Sequence, residues 1–529
     1  MMKCMLKRLL GVTALLAISS LVCAAAPKLK YSNAGTLSNW TEESYYNAPV
    51  VTDLDGDGKL DIVFSNYSIT VLEAATGREK WKVNSGHDRR ETFAEFGKSV
   101  GHTWCDAVVI DIDGDGSKEV ITVHGNGLIS VLDQNGYFKP GWPQNPMPGV
   151  PARSLKADDL DGDGKAEIVV GYGTNSTNNT LYVYNFDGSV RSGWPQLSYG
   201  AIGNVQGMYM NGLHLVDLNG DGRKEILAAT DLSSISAFYA DGSQVKVNAS
   251  VYGDDVWSNI PLYENYSTEI KRENGLWGLF SASMTREDRY RAELGHSILA
   301  SGDVDGDGKT ELVTTAVMCD GYQFSQNGGW HYGSKYMTIA LLNADRTRYQ
   351  NKALDADWST LPIDTGKPLT TSDVSLALNV CASPVIADLD GDGLSEILFN
   401  SYDGKVHCFS LNKTEPYAWP YSLTKRTSPL YEYASPVTCV DIDFDGKKEI
   451  IFASTYDKTQ TLPGVTRGNL YVLNYEGKLL SKTPLPVATE ALNHNGVTSA
   501  PVVADIDGDG RYEVVLNTQA GAICAYDLD

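Results

Sequence analysis

Apolar and polar positions follow one long rhythm along this chain. A short apolar run (APVVTDL, SPVIADL, APVVADI) leads into a loop of acids and glycines, and a second apolar run follows (DIVFSN, EIVVGYG, EVVLNT). A third run is aromatic and alternating (TLYVYNF, NLYVLNY, AICAYDL). A DG, NG or EG turn then opens a fourth segment, which ends in Trp-Pro at 140–143, 192–195 and 418–420. β-Branched and aromatic runs of this length, bounded by turn residues, read as strands. Four short antiparallel strands per 48 to 64 residues make the blade of a β-propeller. The expected fold is therefore all-β, an eight-bladed propeller, with Trp142, Trp194 and Trp419 packed between blades. The eighth unit ends at its third strand, GAICAYDLD. The strand-like KLKYS near the start is expected to complete that blade and to leave no open edge.

The loop between the first and second strands carries the chemistry. DIDGDGSKEV at 111–120 has acids at alternate positions and glycine at the sixth, as an EF-hand loop does, but Thr122 stands where the bidentate Glu would be. The motif recurs eight times, with acidic or amide side chains at positions 1, 3, 5 and 9. The sets are Asp53, Asp55, Asp57, Asp61; Asp111, Asp113, Asp115, Glu119; Asp159, Asp161, Asp163, Glu167; and Asp217, Asn219, Asp221, Glu225. The other four are Asp303, Asp305, Asp307, Glu311; Asp388, Asp390, Asp392, Glu396; Asp441, Asp443, Asp445, Glu449; and Asp505, Asp507, Asp509, Glu513. A hard cation needs six to eight oxygens converging at about 2.3–2.6 Å, and carboxylates at 1, 3 and 5 meet when glycine at 6 lets the chain coil. An acid at position 9 closes the shell early enough to fit a hairpin. The expected cofactor is Ca²⁺, up to eight ions, one per blade.

Composition supports this reading. The formal net charge is −23, and 31 of the 66 acids lie in these loops. Eight divalent ions would bring the balance to about −7, so the acidity belongs to metal chemistry and argues against a nucleic-acid partner. MMKCMLKR, the apolar LLGVTALLAISSLV and CAAAP read as a signal peptide over residues 1–25, too short to span a membrane. The expected location is secreted, extracellular or periplasmic, with a lipid anchor on Cys23 disfavoured by Val22 before it. Residues 26–529 form a single propeller domain without a transmembrane segment. Cys408 and Cys524, at matching places in apolar strands, read as small buried hydrophobes, and Cys319 and Cys381 as one candidate disulfide.

The repeated loop, together with FGKSV at 96–100 before CDAVVIDIDGDG, resembles the FG-GAP/VCBS repeat family, calcium-loop propellers related to the head of integrin α subunits. The resemblance spans roughly residues 45 to 529 and implies surface recognition more than catalysis.

Two spacings are long, 86 residues from Asp217 to Asp303 and 85 from there to Asp388. They mark insertions near 252–294 and 320–378, rich in aromatics (Trp257, Tyr263, Tyr266, Trp277; Tyr322, Trp330, His331, Tyr332, Tyr336). TREDRYRAEL in the first reads as a helix with Thr285 and Asp288 as a capping box. At least this insertion is expected to emerge opposite the acidic loops. His102, Arg153, His214, His296 and His494 stand at or just before first strands and are candidate ligand contacts around the channel mouth, with Trp257 and Trp330 above it. Aromatic loops over a polar mouth suit an extracellular glycan, and a protein ligand is the other expected partner class. The enzyme alternative is a polysaccharide lyase, since rhamnogalacturonan lyases include an eight-bladed, calcium-rich propeller. That family adds an N-terminal β-domain for which this chain has too few residues. GKSVG at 97–101 lacks the strand-turn-helix setting of a nucleophile elbow. The single VLEAATGREKW at 71–81 lacks the vicinal cysteines of quinone dehydrogenases. No catalytic residue is assigned.

Overall fold

The second strand of each repeat is buried along nearly its whole length, as Asp61–Ser65, Glu119–Val123 and Glu167–Tyr172 show. A strand covered on both faces reads as a continuous apolar run, which is why these segments do not alternate. The computed structural model describes residues 26–33, 47–94, 99–173, 179–198, 207–208, 212–230, 234–253, 255–258, 260–272, 290–294, 299–320, 334–362, 383–423, 431–456, 466–486 and 494–528. The proposed signal segment, His296, Trp277, Tyr322, Trp330, His331, Tyr332 and Cys381 lie outside these residues.

The chain forms eight antiparallel sheets arranged as an eight-bladed propeller. Blade 1 is complete, with Val50–Thr52, Asp61–Ser65, Ser68–Glu73 and Arg78–Asn84 from the inner to the outer strand. Its register, Val50 to Val63 and Val63 to Val71, places apolar residues side by side. In blade 8 the outer strand is Lys28–Asn33, which pairs with Ile523–Asp527. The apolar core lies between blades. Each of the eight junctions has its own cluster of buried side chains, including Ile62, Phe64 and Leu72 of blade 1 against Val515, Ile523 and Ala525 of blade 8.

Tryptophans on the outer strands clasp neighbouring blades. The indole Nε1 of Trp81, Trp142, Trp194, Trp358 and Trp419 each donates to a carbonyl in the outer turn of the next blade, at 2.8–3.0 Å. Trp142, Trp194 and Trp419 were expected there, while Trp81 and Trp358 were missed. Trp257 belongs to the same set of core tryptophans. It is fully buried, and its backbone bridges Val245 and Ala237 as an outer strand does. The short helix Ala249–Tyr252 separates it from its turn and hides the correspondence in sequence. Trp257 is thus a packing residue, and its assignment as a ligand contact is corrected. At this junction the Tyr252 hydroxyl donates to the Arg346 carbonyl at 2.9 Å in place of an indole.

The insertions also differ from expectation. The first docks a helix, Tyr266–Arg272, on the outer turn of blade 5. Its Glu269 is fully buried between Arg346 and Arg348, with the Arg348 Nη2 at 2.6 Å. A buried carboxylate is retained only when paired in this way. Tyr263 and Tyr336 are buried at 2 % and 3 % exposure, so they pack the core and do not project. The end of the expected helix is a strand, Tyr290–Glu293, paired with Val317–Asp320. β-Pairing to an available strand edge overrides the local helical pattern. Within the second insertion, Ser334–Asn343 pairs with Glu311–Asp320 in a hairpin whose two strands are ten residues each.

Candidate metal loops and the face opposite them

Each acidic loop is built by its own backbone. The position-6 N–H donates to the second oxygen of the position-1 Asp at 2.8–3.0 Å in all eight copies. The position-7 N–H donates to the position-5 Asp at 2.8–2.9 Å. These bonds require left-handed backbone at position 6, where the eight glycines have φ of 82–90°. At position 4 the single exception to glycine, Phe444, takes φ 59° and stands 67 % exposed. In blades 2 to 8 one oxygen of the position-9 Glu accepts the position-2 N–H at 2.7–3.1 Å, leaving the other to face the loop.

The side chains converge. One oxygen from each of Asp303, Asp305 and Glu311 lies within 4.8 Å of the others, and the same holds for Asp388, Asp390 and Glu396 and for Asp53, Asp55 and Asp57. A cleft of about 430 Å³ opens over the blade 5 loop between Asp305, Glu311, Tyr349 and Asn351. Burial pushes Glu225, Glu311, Glu396 and Glu449 from 4.5 up to about 7, and aspartates of the same loop add to the rise. A hard cation would relieve that repulsion, and four oxygen-bearing side chains around one point fit Ca²⁺.

The sequence reading missed a second component of some loops. Lys80 Nζ lies 2.7 Å from Asp55 and 2.8 Å from Asp61. Lys139 Nζ lies 2.9 Å from both Asp113 and Glu119. Arg191 pairs with Asp161 and, at 2.8 Å, with Glu167. Lys30 reaches Asp507 at 2.5 Å, Glu513 at 3.1 Å and Asp527 at 3.1 Å. Bonds from Lys80, Arg191 and Lys30 hold Asp55, Asp161 and Asp507 below their ordinary range. Burial still raises Asp61, Glu119 and Glu513 with their cations opposing, and Glu167 reaches about 7 despite Arg191.

The first and second strands are joined on the acidic-loop face, so the turns between second and third strands lie at the opposite end. There the structure brings two of the predicted ligand residues together around one that was missed. The Arg153 guanidinium stands 5.6 Å from the Trp104 ring, and His102 lies 5.2 Å from Trp104 and 5.0 Å from Tyr67. His102 itself is only 4 % exposed, so it backs the aromatic pair and does not face the opening. Trp104 stands in HTWC, two residues beyond His102. His214 does not join this group, because its Nε2 bonds Ser301 Oγ on the next inner strand at 2.8 Å. Burial lowers it to about 4, so it is neutral. His494 lies in a short strand paired in parallel with Thr466–Arg467.

Fold and loop together define a β-propeller made of acidic hairpin repeats. An FG-GAP-like repeat model matches residues 111–170 and 159–228, and the other blades carry the same acidic loop. The repeat matches and the eight-bladed fold together support an FG-GAP repeat propeller. No curated protein matches the chain. Among solved structures it is similar to BamB from Moraxella catarrhalis, at 13 % identity over 95 % of this chain and 99 % of that one, TM-score 0.46. It is similar to a Bacillus licheniformis rhamnogalacturonan lyase at 17 % identity over 94 % and 76 %, TM-score 0.47. It is similar to the computationally designed Ika8 protein at 11 % identity over 93 % and 98 %, TM-score 0.46. These likenesses carry no functional argument. No described helix is long and apolar enough to cross a membrane.

Proposed function

We propose that this protein is an exported, calcium-dependent recognition module that binds a carbohydrate on the face opposite its acidic loops. The observation that carries the reading is the cluster of Arg153, Trp104 and Tyr67 beside His102 at the turns of blades 1 to 3. An indole and a phenol offer flat apolar faces for the C–H side of a sugar ring, and a guanidinium fixes hydroxyl or carboxylate groups. Calcium in the acidic loops on the other face is structural in this reading and holds the hairpins that set the inner strands.

A glycan-binding screen on the purified chain, with calcium, tests the proposal. Trp104→Ala and Arg153→Ala should each weaken binding at least tenfold while leaving the melting curve in calcium nearly unchanged. Binding that survives both substitutions would move the site elsewhere. A rise in absorbance at 235 nm with pectic substrates would replace recognition by lyase chemistry.

A further inference from the structure

The eight loops share a consensus, but a residue outside the consensus divides them. In blades 1, 2 and 3 the residue three places after the glycine of the outer turn is Lys80 (after Gly77), Lys139 (after Gly136) and Arg191 (after Gly188). Each reaches into its own loop, as described above. Lys30 does the same in blade 8 from the N-terminal strand. Lys30 and Lys80 are both the extra residue of a β-bulge, between Leu29 and Tyr31 and opposite Val71 and Leu72. A bulge re-aims one side chain out of the pleat, here toward the carboxylates.

Blades 4 to 7 have the same register without the charge. The equivalent positions hold Val245, Tyr349, Pro416 and Leu480. Leu480 is again a bulge residue, opposite Val472 and Leu473. The donors reaching these carboxylates from side chains are mostly neutral: Asn219 on Asp221 at 3.2 Å and Glu225 at 3.1 Å, Tyr349 and Asn351 on Asp305 at 2.6 and 2.9 Å, and Tyr417 on Asp390 at 3.0 Å. Among the described residues, the cation paired to a position-5 acid in this half is Lys309 on Asp307, a residue of the loop's own outer rim that is 77 % exposed.

We propose that the loops are of two kinds. In blades 8, 1, 2 and 3 a built-in ammonium or guanidinium holds the carboxylates in place of a metal, and calcium binds only in blades 4 to 7. The proposal rests on the calcium reading above and limits it. Lysine nitrogens already lie 2.7–3.1 Å from the position-3 and position-9 carboxylates that a metal in these loops would need. A divalent ion there needs oxygens at about 2.3–2.6 Å and would have to expel a tethered positive charge. The two kinds form two continuous arcs of the ring. The metal-free arc contains the seam where the N-terminal strand pairs with the C-terminal one, and the metal-dependent arc carries both insertions.

The test is the calcium stoichiometry of the chelator-stripped full chain, by titration calorimetry and elemental analysis. About four ions per chain are expected, against about eight if every loop were a site. Lys80→Leu should open the blade 1 loop and add one ion, and Leu480→Lys should close the blade 7 loop and remove one. Leu480 is 36 % exposed, so the second variant does not depend on replacing a core residue. Hydrogen exchange with and without calcium should locate the change in Glu225–Thr230, Glu311–Asp320, Glu396–Ser401 and Glu449–Tyr456 and spare Asp61–Ser65 and Glu119–Val123. About eight ions, unchanged counts in both variants, or uniform exchange around the ring would overturn the division. A count of zero in the native chain would remove the calcium reading and the division with it.

Discussion

Blades 8, 1, 2 and 3 and blades 4 to 7 are built from one repeat, and their acidic loops are nearly superposable in hydrogen bonding. They differ in what neutralises them. Lys139 touches three carboxylates of the blade 2 loop, whereas Val245, at the same register in blade 4, is buried in the apolar junction with blade 5. The motif specifies a geometry of oxygens, and on our proposal an outer-strand residue, some twenty positions downstream in blades 1 to 3 and on the N-terminal strand in blade 8, specifies which cation fills it. An internal cation is always at hand and costs no search through solvent, but it cannot report the calcium level. On the proposal above, half of this ring is indifferent to calcium by construction, and the other half responds to it.

Chelation is the strongest way to expose that difference. A site filled at a hundredfold excess over its Kd stabilises the fold by about 2.7 kcal/mol, so four such sites contribute roughly 10 kcal/mol. Excess EDTA should lower the melting temperature sharply, and proteolysis of the chelated protein should begin in blades 4 to 7. An unchanged melting curve would falsify structural calcium, and first cleavage in blades 1 to 3 would contradict the two-arc picture.

The tryptophan clasps provide a control that the two arcs share. Trp142→Ala in one arc and Trp358→Ala in the other each remove a buried indole, a loss of about 3–5 kcal/mol. Trp358→Phe keeps most of the packing and should cost nearer 1–2 kcal/mol through the orphaned Leu411 carbonyl. In denaturant titrations the Trp142→Ala cost should be the same with or without calcium. If it doubled in chelator, blade 2 would be coupled to the metal and the arcs would not be independent.

How much of this was legible in the sequence follows from the range of each interaction. The eight loops, the strand order within a blade and the role of Trp142, Trp194 and Trp419 are local patterns repeated many times, and they could be read directly. Trp257 was misread because the rule that large exposed aromatics mark ligand sites was applied to a residue whose burial depends on the neighbouring blade. Residues 290–293 were misread because a capping box and helix formers cannot reveal the free edge of Glu311–Asp320. The internal cations were legible in principle, three residues after Gly77, Gly136 and Gly188, but only a known loop-to-strand register gives that spacing meaning. His102 and Arg153 were singled out from their place at or before first strands, and the structure sets both beside Trp104. Trp104 carries no signal of this contact in sequence, because only the fold brings Arg153 against its ring.

The smallest effect separates the arcs by pH. In calcium-free protein Glu225, Glu311, Glu396 and Glu449 titrate near 7 in the folded state against 4.5 when unfolded, because burial penalises their charge. Between these values the folded chain binds more protons than the unfolded one, so stability falls as pH rises from about 4.5 to about 7. In blades 1, 2 and 8 the position-9 acids are also raised, but Lys80, Lys139 and Lys30 oppose the shift, and the same interval should matter less there. Glu167, at the boundary of the metal-free arc, behaves with the other group despite Arg191. Melting temperatures measured in EDTA from pH 5 to 7.5 should therefore decline. In saturating calcium the decline should vanish or reverse, because the ion binds the carboxylate form and displaces the proton. Calorimetry near pH 6 in two buffers of different ionisation enthalpy should then show protons released on calcium binding. A melting temperature in EDTA that rises over this interval would mean that the four glutamates are not held protonated by burial. The contrast between the arcs would then rest on the lysines alone.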